Sequence, residues 1–229
     1  MKVRKAMFAG SWYPDRAAAC EKEIKQFLKE TPFQRVSLDD ITGGIVPHAG
    51  WYFSGAIACN VIRCLKAERS PDVIVVLGMH LRSDSPVYLI TEDLWETPFG
   101  GIEIEKELSG ELIKKFSFNI EVLDHFMQDN TIELQLPFIK YFFPDTKIIP
   151  IGVPPTKSSF AIGLALAEMS VRLDQSVKVI GSTDLTHYGS NYGFTPKGTG
   201  RSAVDWVKNN NDRRVIDAMI AMDPDLVIS

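Results

Sequence analysis

Short apolar runs alternate with longer segments of helical period along most of the chain. Asp72–Leu77 (DVIVVL) is a continuous, mostly β-branched run, the pattern of a strand covered on both faces. Gly44–Val46, Pro86–Thr91, Lys147–Val153 and Val177–Gly181 read as further strands. Asp15 is placed to cap a helix running to about Lys29, with Cys20, Ile24, Phe27 and Leu28 on one face. Further helices are predicted over Gly55–Lys66, Glu103–Phe116 and Ser158–Leu173. Thr199–Ala221 reads as mostly helical, with Val204, Val207, Val215, Ile216 and Met219 as its buried positions. Thr131–Phe143 carries two signals. Ile132, Leu134 and Leu136 alternate like a strand, whereas Asn130 and Glu133 stand where a capping pair starts a helix, and the helix is the expectation. Strands alternating with helices predict an α/β fold, a largely parallel central sheet flanked by helices on both faces.

The polar residues change this picture at the strand ends. Of the four histidines, His48 and His80 follow predicted buried strands directly, and His187 follows another together with Asp184. Ligands of open α/β sheets bind beyond the carboxyl ends of the strands, where loops distant in sequence converge. Two imidazoles and a carboxylate suit iron, zinc or manganese, and the same groups suit proton transfer. The plainer alternative is that each imidazole is held by a backbone carbonyl. His125, in a polar stretch after Asp124, reads as a surface or rim residue. Gly50 and Gly55 bracket Trp51–Ser54, and Gly78 precedes Met79–His80, positions that permit tight turns or close approach. Trp12, Tyr13, Trp51 and Tyr52 could wall an aromatic pocket, although such residues are more often core.

Composition narrows the class. A chain of 229 residues, 45% hydrophobic and 24% charged, suits one globular α/β domain. The formal net charge of -4 gives no basic field for a phosphate backbone, so no nucleic-acid partner is expected. No apolar run is long enough to span a bilayer, and the basic start Met1–Lys5 is not followed by a signal-peptide core. Cys20, Cys59 and Cys64 are an odd set without CxxC spacing, which predicts a reducing compartment and a cytoplasmic location. Cys59 and Cys64 fall on an apolar helix and are expected to be buried and inert.

Four strings then carry a resemblance: Ala9–Pro14 (AGSWYP), Val46–Gly50 (VPHAG), Asp129–Pro137 (DNTIELQLP) and Ser182–Gly189 (STDLTHYG). In order and approximate spacing they resemble the Memo family, also named protein B of the AmmeMemoRadiSam system. The resemblance implies a mixed α/β fold of the LigB-like extradiol dioxygenase type. It implies His48 and His80 as metal ligands for iron or copper, and Asp184 and His187 as catalytic groups lining the pocket. Trp12, Tyr13, Trp51 and Asn130 are its expected remaining walls. The activity implied is that of a metal-dependent, dioxygenase-like oxidoreductase acting on a small molecule. The family also allows a binding module for a peptide, or an accessory factor to AMMECR-type and radical SAM proteins.

Three departures from the family pattern stand out. The string around the second histidine, Leu77–His80, is one residue shorter than usual. Asn130 replaces an imidazole by an amide, which cannot shuttle protons at neutral pH. The family's third ligand, a cysteine in a Cys–Gly segment, has no counterpart in residues 1–229. The expectation is therefore a single domain over 1–229 lacking that C-terminal segment, with Asp184 as the in-chain carboxylate able to stand in.

Overall fold

The β-branched run forms β3 (Val73–Gly78), a central strand of a six-stranded sheet. The computed structural model of the chain describes residues 1–30, 41–66, 69–122 and 126–228. The main sheet also contains β2 (Gly43–Val46), β4 (Tyr88–Ile90), β7 (Asn119–Glu121), β8 (Lys147–Gly152) and β9 (Val177–Ser182), in the order β2–β9–β3–β8–β4–β7. β2, β9, β3 and β8 run parallel, while β4 lies antiparallel to β8 and pairs parallel with β7. A smaller sheet joins β1 (Val3–Arg4), β5 (Leu94–Trp95) and β6 (Ile102–Glu103). This is the mixed, largely parallel α/β architecture expected from the sequence.

Alternation along β3 builds two cores, because successive side chains point to opposite faces. Ile74 and Val76 join Cys20 and Ile24 of α1 (Ala17–Glu30), Cys59 and Ile62 of α2 (Ala56–Cys64) and Phe138 of α5 (Leu136–Phe142). Val73 and Val75 join Leu108 and Leu112 of α3 (Glu107–Lys115) and Ile162 and Leu166 of α6 (Lys157–Arg172). Helices therefore cover both faces, and a continuous apolar strand is the result.

Several boundaries differ from the periodicity for identifiable reasons. The helix expected from Glu103 starts at Glu107, because Ile102 and Glu103 pair in β6 and the Glu105 carboxylate accepts from the Glu107 and Leu108 N–H groups at 3.0 and 2.7 Å. The helix expected from Gly55 is preceded by a turn of π-helix over Trp51–Gly55. The Thr131–Phe143 helix is two helices, α4 (Asn130–Glu133) and α5, the second with Pro137, which lacks an N–H, in its first turn. Asp129, not Asn130, caps α4, accepting from Thr131 N at 3.0 Å.

The chain folds as two compact units, Met1–Thr183 and Asp184–Ser229. The second holds α7 (Arg201–Trp206), α8 (Asp212–Ile220) and α9 (Pro224–Val227). None of the five expected positions is fully buried here. Ala203 and Ala218 are, and Val204 is 49% exposed. The helical period is legible in the sequence, but the inward face carries the small residues. Ring packing of Tyr188, Phe194 and Trp206 contributes to this unit instead.

In the first unit, Arg4 ties the small sheet to the edge strand β7. Its guanidinium, 2% exposed, donates to Glu121 Oε2 at 2.7 Å and to the Met127 carbonyl at 3.2 Å. The rings of Trp95 and Phe126 lie over it with centroids at 4.4 and 4.2 Å. Removing one partner of a buried pair strands the other charge, so Arg4→Ala is expected to cost about 3–5 kcal/mol in urea unfolding. Arg4→Met combined with Glu121→Leu should recover most of that loss. A cost under about 1 kcal/mol for the single variant would show that the pair is not a desolvated one.

Candidate functional site

His48 and His80 lie two residues beyond the ends of β2 and β3, and β9 runs between those two strands, ending at Ser182. Three neighbouring parallel strands thus deliver His48, Ser182 and His80 to the same edge of the sheet. The two imidazole rings meet edge to face, 4.9 Å between centroids and 88° between planes. His48 is buried and His80 is exposed at the rim.

Hydrogen bonds fix the tautomer of each ring. The Ser182 hydroxyl donates its one proton to the Thr131 carbonyl at 2.7 Å. It can therefore only accept from His48, so Nδ1 of His48, 3.1 Å away, carries the proton and Nε2 carries the lone pair. Asn130 Nδ2 donates to the His48 carbonyl at 2.9 Å, which turns Oδ1 toward His80 Nε2 at 3.2 Å. His80 then donates through Nε2, leaving the lone pair on Nδ1. Asn130 bridges both histidines without being able to titrate.

The loop that presents His80 is locked from below by α4. Met79 N donates to Thr131 Oγ1 at 2.7 Å, and His80 N reaches Asp129 Oδ2 at 3.3 Å. The Thr131 hydroxyl in turn donates to Asp129 Oδ1. Gly78 is required because a Cβ there would collide with the side chains of Thr131 and Ile132. Between Gly78 and His80, Met79 adopts φ 71°, a left-handed conformation costly for a non-glycine residue. That one residue turns the chain out of the strand and sends His80 to the rim.

The rest of the same segment grips other elements. Glu133, 2% exposed, accepts from Met7 N at 3.0 Å, Phe8 N at 2.7 Å and the Tyr13 hydroxyl at 2.9 Å. Burial pushes the Tyr13 hydroxyl pKa up, with the nearby Glu133 charge adding to it. Trp51 Nε1 donates to the Leu134 carbonyl at 3.1 Å, and Gln135 Nε2 donates to the Pro47 carbonyl at 3.1 Å. Sequence reasoning does not single out Ser182, Asp129, Thr131, Glu133 or Gln135 as site residues. The signal that could have found them is the density of polar residues in DNTIELQLP, a string otherwise apolar enough to be buried.

Trp12, Tyr13 and Trp51 line a depression whose walls do not include His48 or His80. Trp51 is mainly a core residue, stacked on Phe138 with centroids 4.0 Å apart. Asp184 and His187 belong to the second unit, where the Asp184 carboxylate lies 3.5 Å from His187 Nε2 and Tyr192 stacks on the imidazole. His125 lies outside the described residues. Burial pushes the Cys20 and Cys59 thiols up to about 12 and raises Cys64 as well, so all three are thiols rather than thiolates at neutral pH. Among the described residues no cluster of three His, Cys, Asp or Glu forms a ready-made metal cage, and no helix is long and apolar enough to cross a membrane.

A helix-flanked, mostly parallel mixed sheet with two histidines beyond its carboxyl edge defines a protein of the α/β class. The family model described as Memo-like protein matches residues 4–228, and the chain belongs to the Memo family. A MEMO1 family protein of Pyrococcus furiosus is 34% identical over 229 residues, covering 96% of this chain and 77% of the relative. Another from Pyrobaculum arsenaticum is 32% identical over 199 residues, with 82% and 70% covered. One from Methanopyrus kandleri is 28% identical over 230 residues, with 96% and 76% covered.

Glu133 offers a test of the buried network. Burial foremost raises its carboxyl above the ordinary 4.5, opposed by the Phe8 and Met7 N–H groups and the Tyr13 hydroxyl. A raised folded pKa means that the stability it contributes is complete below the unfolded value and is lost as pH rises through the folded one. Glu133→Gln does not titrate. The stability of wild type minus that of the variant, from urea unfolding at stepped pH, should therefore fall above pH 4.5 and then level off. A difference that stays flat or grows would show that the donors outweigh burial.

Proposed function

We propose that the edge-to-face imidazoles of His48 and His80 form a metal-ion site for iron or copper, and that the chain is a redox-linked protein acting on a small molecule. The observation that carries the reading is the fixed tautomer of His48, with Nδ1–H committed to Ser182 and the lone pair on Nε2. An outer hydrogen bond to one ring nitrogen that orients the other is the usual support of a histidine ligand. Imidazole donors suit both metals. The donor set fits an ion held by two imidazoles, with further positions left to solvent or substrate.

When bound, such an ion would supply one-electron chemistry and Lewis acidity. The chain's own residues supply position and orientation. Ser182, itself held by the Thr131 carbonyl, orients the His48 ring through Nδ1. Asn130 holds the His80 ring against its neighbour and, being an amide, does so without taking up a proton. The left-handed backbone at Met79 sets where that ring stands.

Metal content by elemental analysis after anaerobic purification, followed by iron(II) and copper(I) titration, tests the reading. Wild type should hold about one ion per chain, and His48→Ala/His80→Ala should hold none. Ser182→Ala, which keeps both imidazoles, should weaken affinity by about 10- to 100-fold. Circular dichroism checks that each variant is folded. If folded wild type takes up neither metal, the reading fails, and the cleft is to be pursued as a peptide or partner site.

A further inference from the structure

The depression beside α1 has a chemistry of its own. It measures about 620 Å³, and its walls include Trp12, Tyr13, Phe27, Tyr52 and Glu23. That volume is the size of a small-molecule site. Trp12 is 40% exposed and Tyr52 91% exposed, so aromatic surface is presented to solvent at the rim. Trp12 is buttressed on one side by Phe8, edge to face at 5.5 Å, and its carbonyl accepts from Trp51 N at 2.9 Å. The ring is therefore held in place before any ligand arrives.

Glu23 brings a negative charge to these walls, and among the described residues no cation is set against it. Burial holds its carboxyl above the ordinary carboxylate value, and no neighbouring positive charge opposes that shift. Lys25 pairs with Glu21 at 2.6 Å, and Glu30, a second carboxylate on these walls, accepts from the Gln26 amide at 2.7 Å. A half-buried carboxylate beside aromatic walls disfavours anions and gives neutral polar ligands little advantage. Aromatic faces and a carboxylate favour the same ligand, a positively charged group with alkyl substituents.

We propose that this depression binds a small organic ammonium, its charge set against Glu23 and its alkyl groups resting on Trp12 and the neighbouring rings. Desolvated cation–aromatic contacts and a carboxylate partner act together on such a ligand, whereas an uncharged ligand of the same shape gains only the apolar contact. Selectivity for charge at constant shape is therefore the property that defines the site.

Choline and neohexyl alcohol, in which carbon replaces the ammonium nitrogen, are the probes. Titrations of the full chain are followed by the indole N–H resonance of Trp12, assigned with Trp12→Phe. Choline should give a saturable shift, with neohexyl alcohol at least about tenfold weaker. Glu23→Gln keeps the side-chain volume and should weaken choline at least about tenfold while leaving neohexyl alcohol unchanged. Trp12→Leu, followed by calorimetry, should weaken choline as well. Equal binding of the two probes would overturn the proposal in favour of a plain apolar slot. Undiminished choline binding by folded Glu23→Gln, or no saturable shift in wild type, would also overturn it.

Discussion

Burying carboxylates obliges the chain around them to deliver donors, and Asp129 and Glu133 impose that obligation on the first unit. A buried polar group left without partners costs several kcal/mol, so the surrounding backbone has little freedom to be elsewhere. Asp129 accepts from its own helix and from the loop carrying His80. Glu133 accepts from the N-terminal segment and from Tyr13. Between them Asn130 spans the two histidines, and beyond them Leu134 and Gln135 hold Trp51 and Pro47. One short, polar, buried segment thus fixes the geometry of the cleft from beneath.

The sheet is legible in the sequence because burial on both faces leaves an unmistakable mark, an unbroken apolar run such as that of β3. The placement of His48 and His80 follows from the general rule that function collects at the carboxyl edge of such sheets. What escapes a sequence reading is equally physical. Ser182 meets Gln135 and Thr131 across 47 and 51 positions of chain, and no local pattern records partners at that range. The left-handed turn at Met79 is invisible because nothing about methionine announces it. In the second unit the helical period is correct, but the buried face is marked by alanines, which a hydrophobicity pattern underweights.

The aromatic string near the N-terminus shows how one motif can serve two ends. Tyr13 and Trp51 spend their polar tips on Glu133 and Leu134 and their rings on the core. Trp12, one residue from Tyr13, turns outward. A sequence reading sees adjacent aromatics and assigns them one role, whereas packing divides them between support and surface.

Sheet order has a consequence for how the cleft comes into being. The strands bearing the two histidines are made early, but they are not neighbours: β9, the last strand of the sheet in sequence, is inserted between them. Loop-closure entropy must be met before such distant pairing is rewarded, which makes the insertion a slow event. A nascent chain that has not yet released Ser182 from the ribosome therefore owns both imidazoles and the Asn130 bridge, but not the strand that fills the gap between β2 and β3. The cleft is a late product of folding, assembled only when the sheet closes around its final strand.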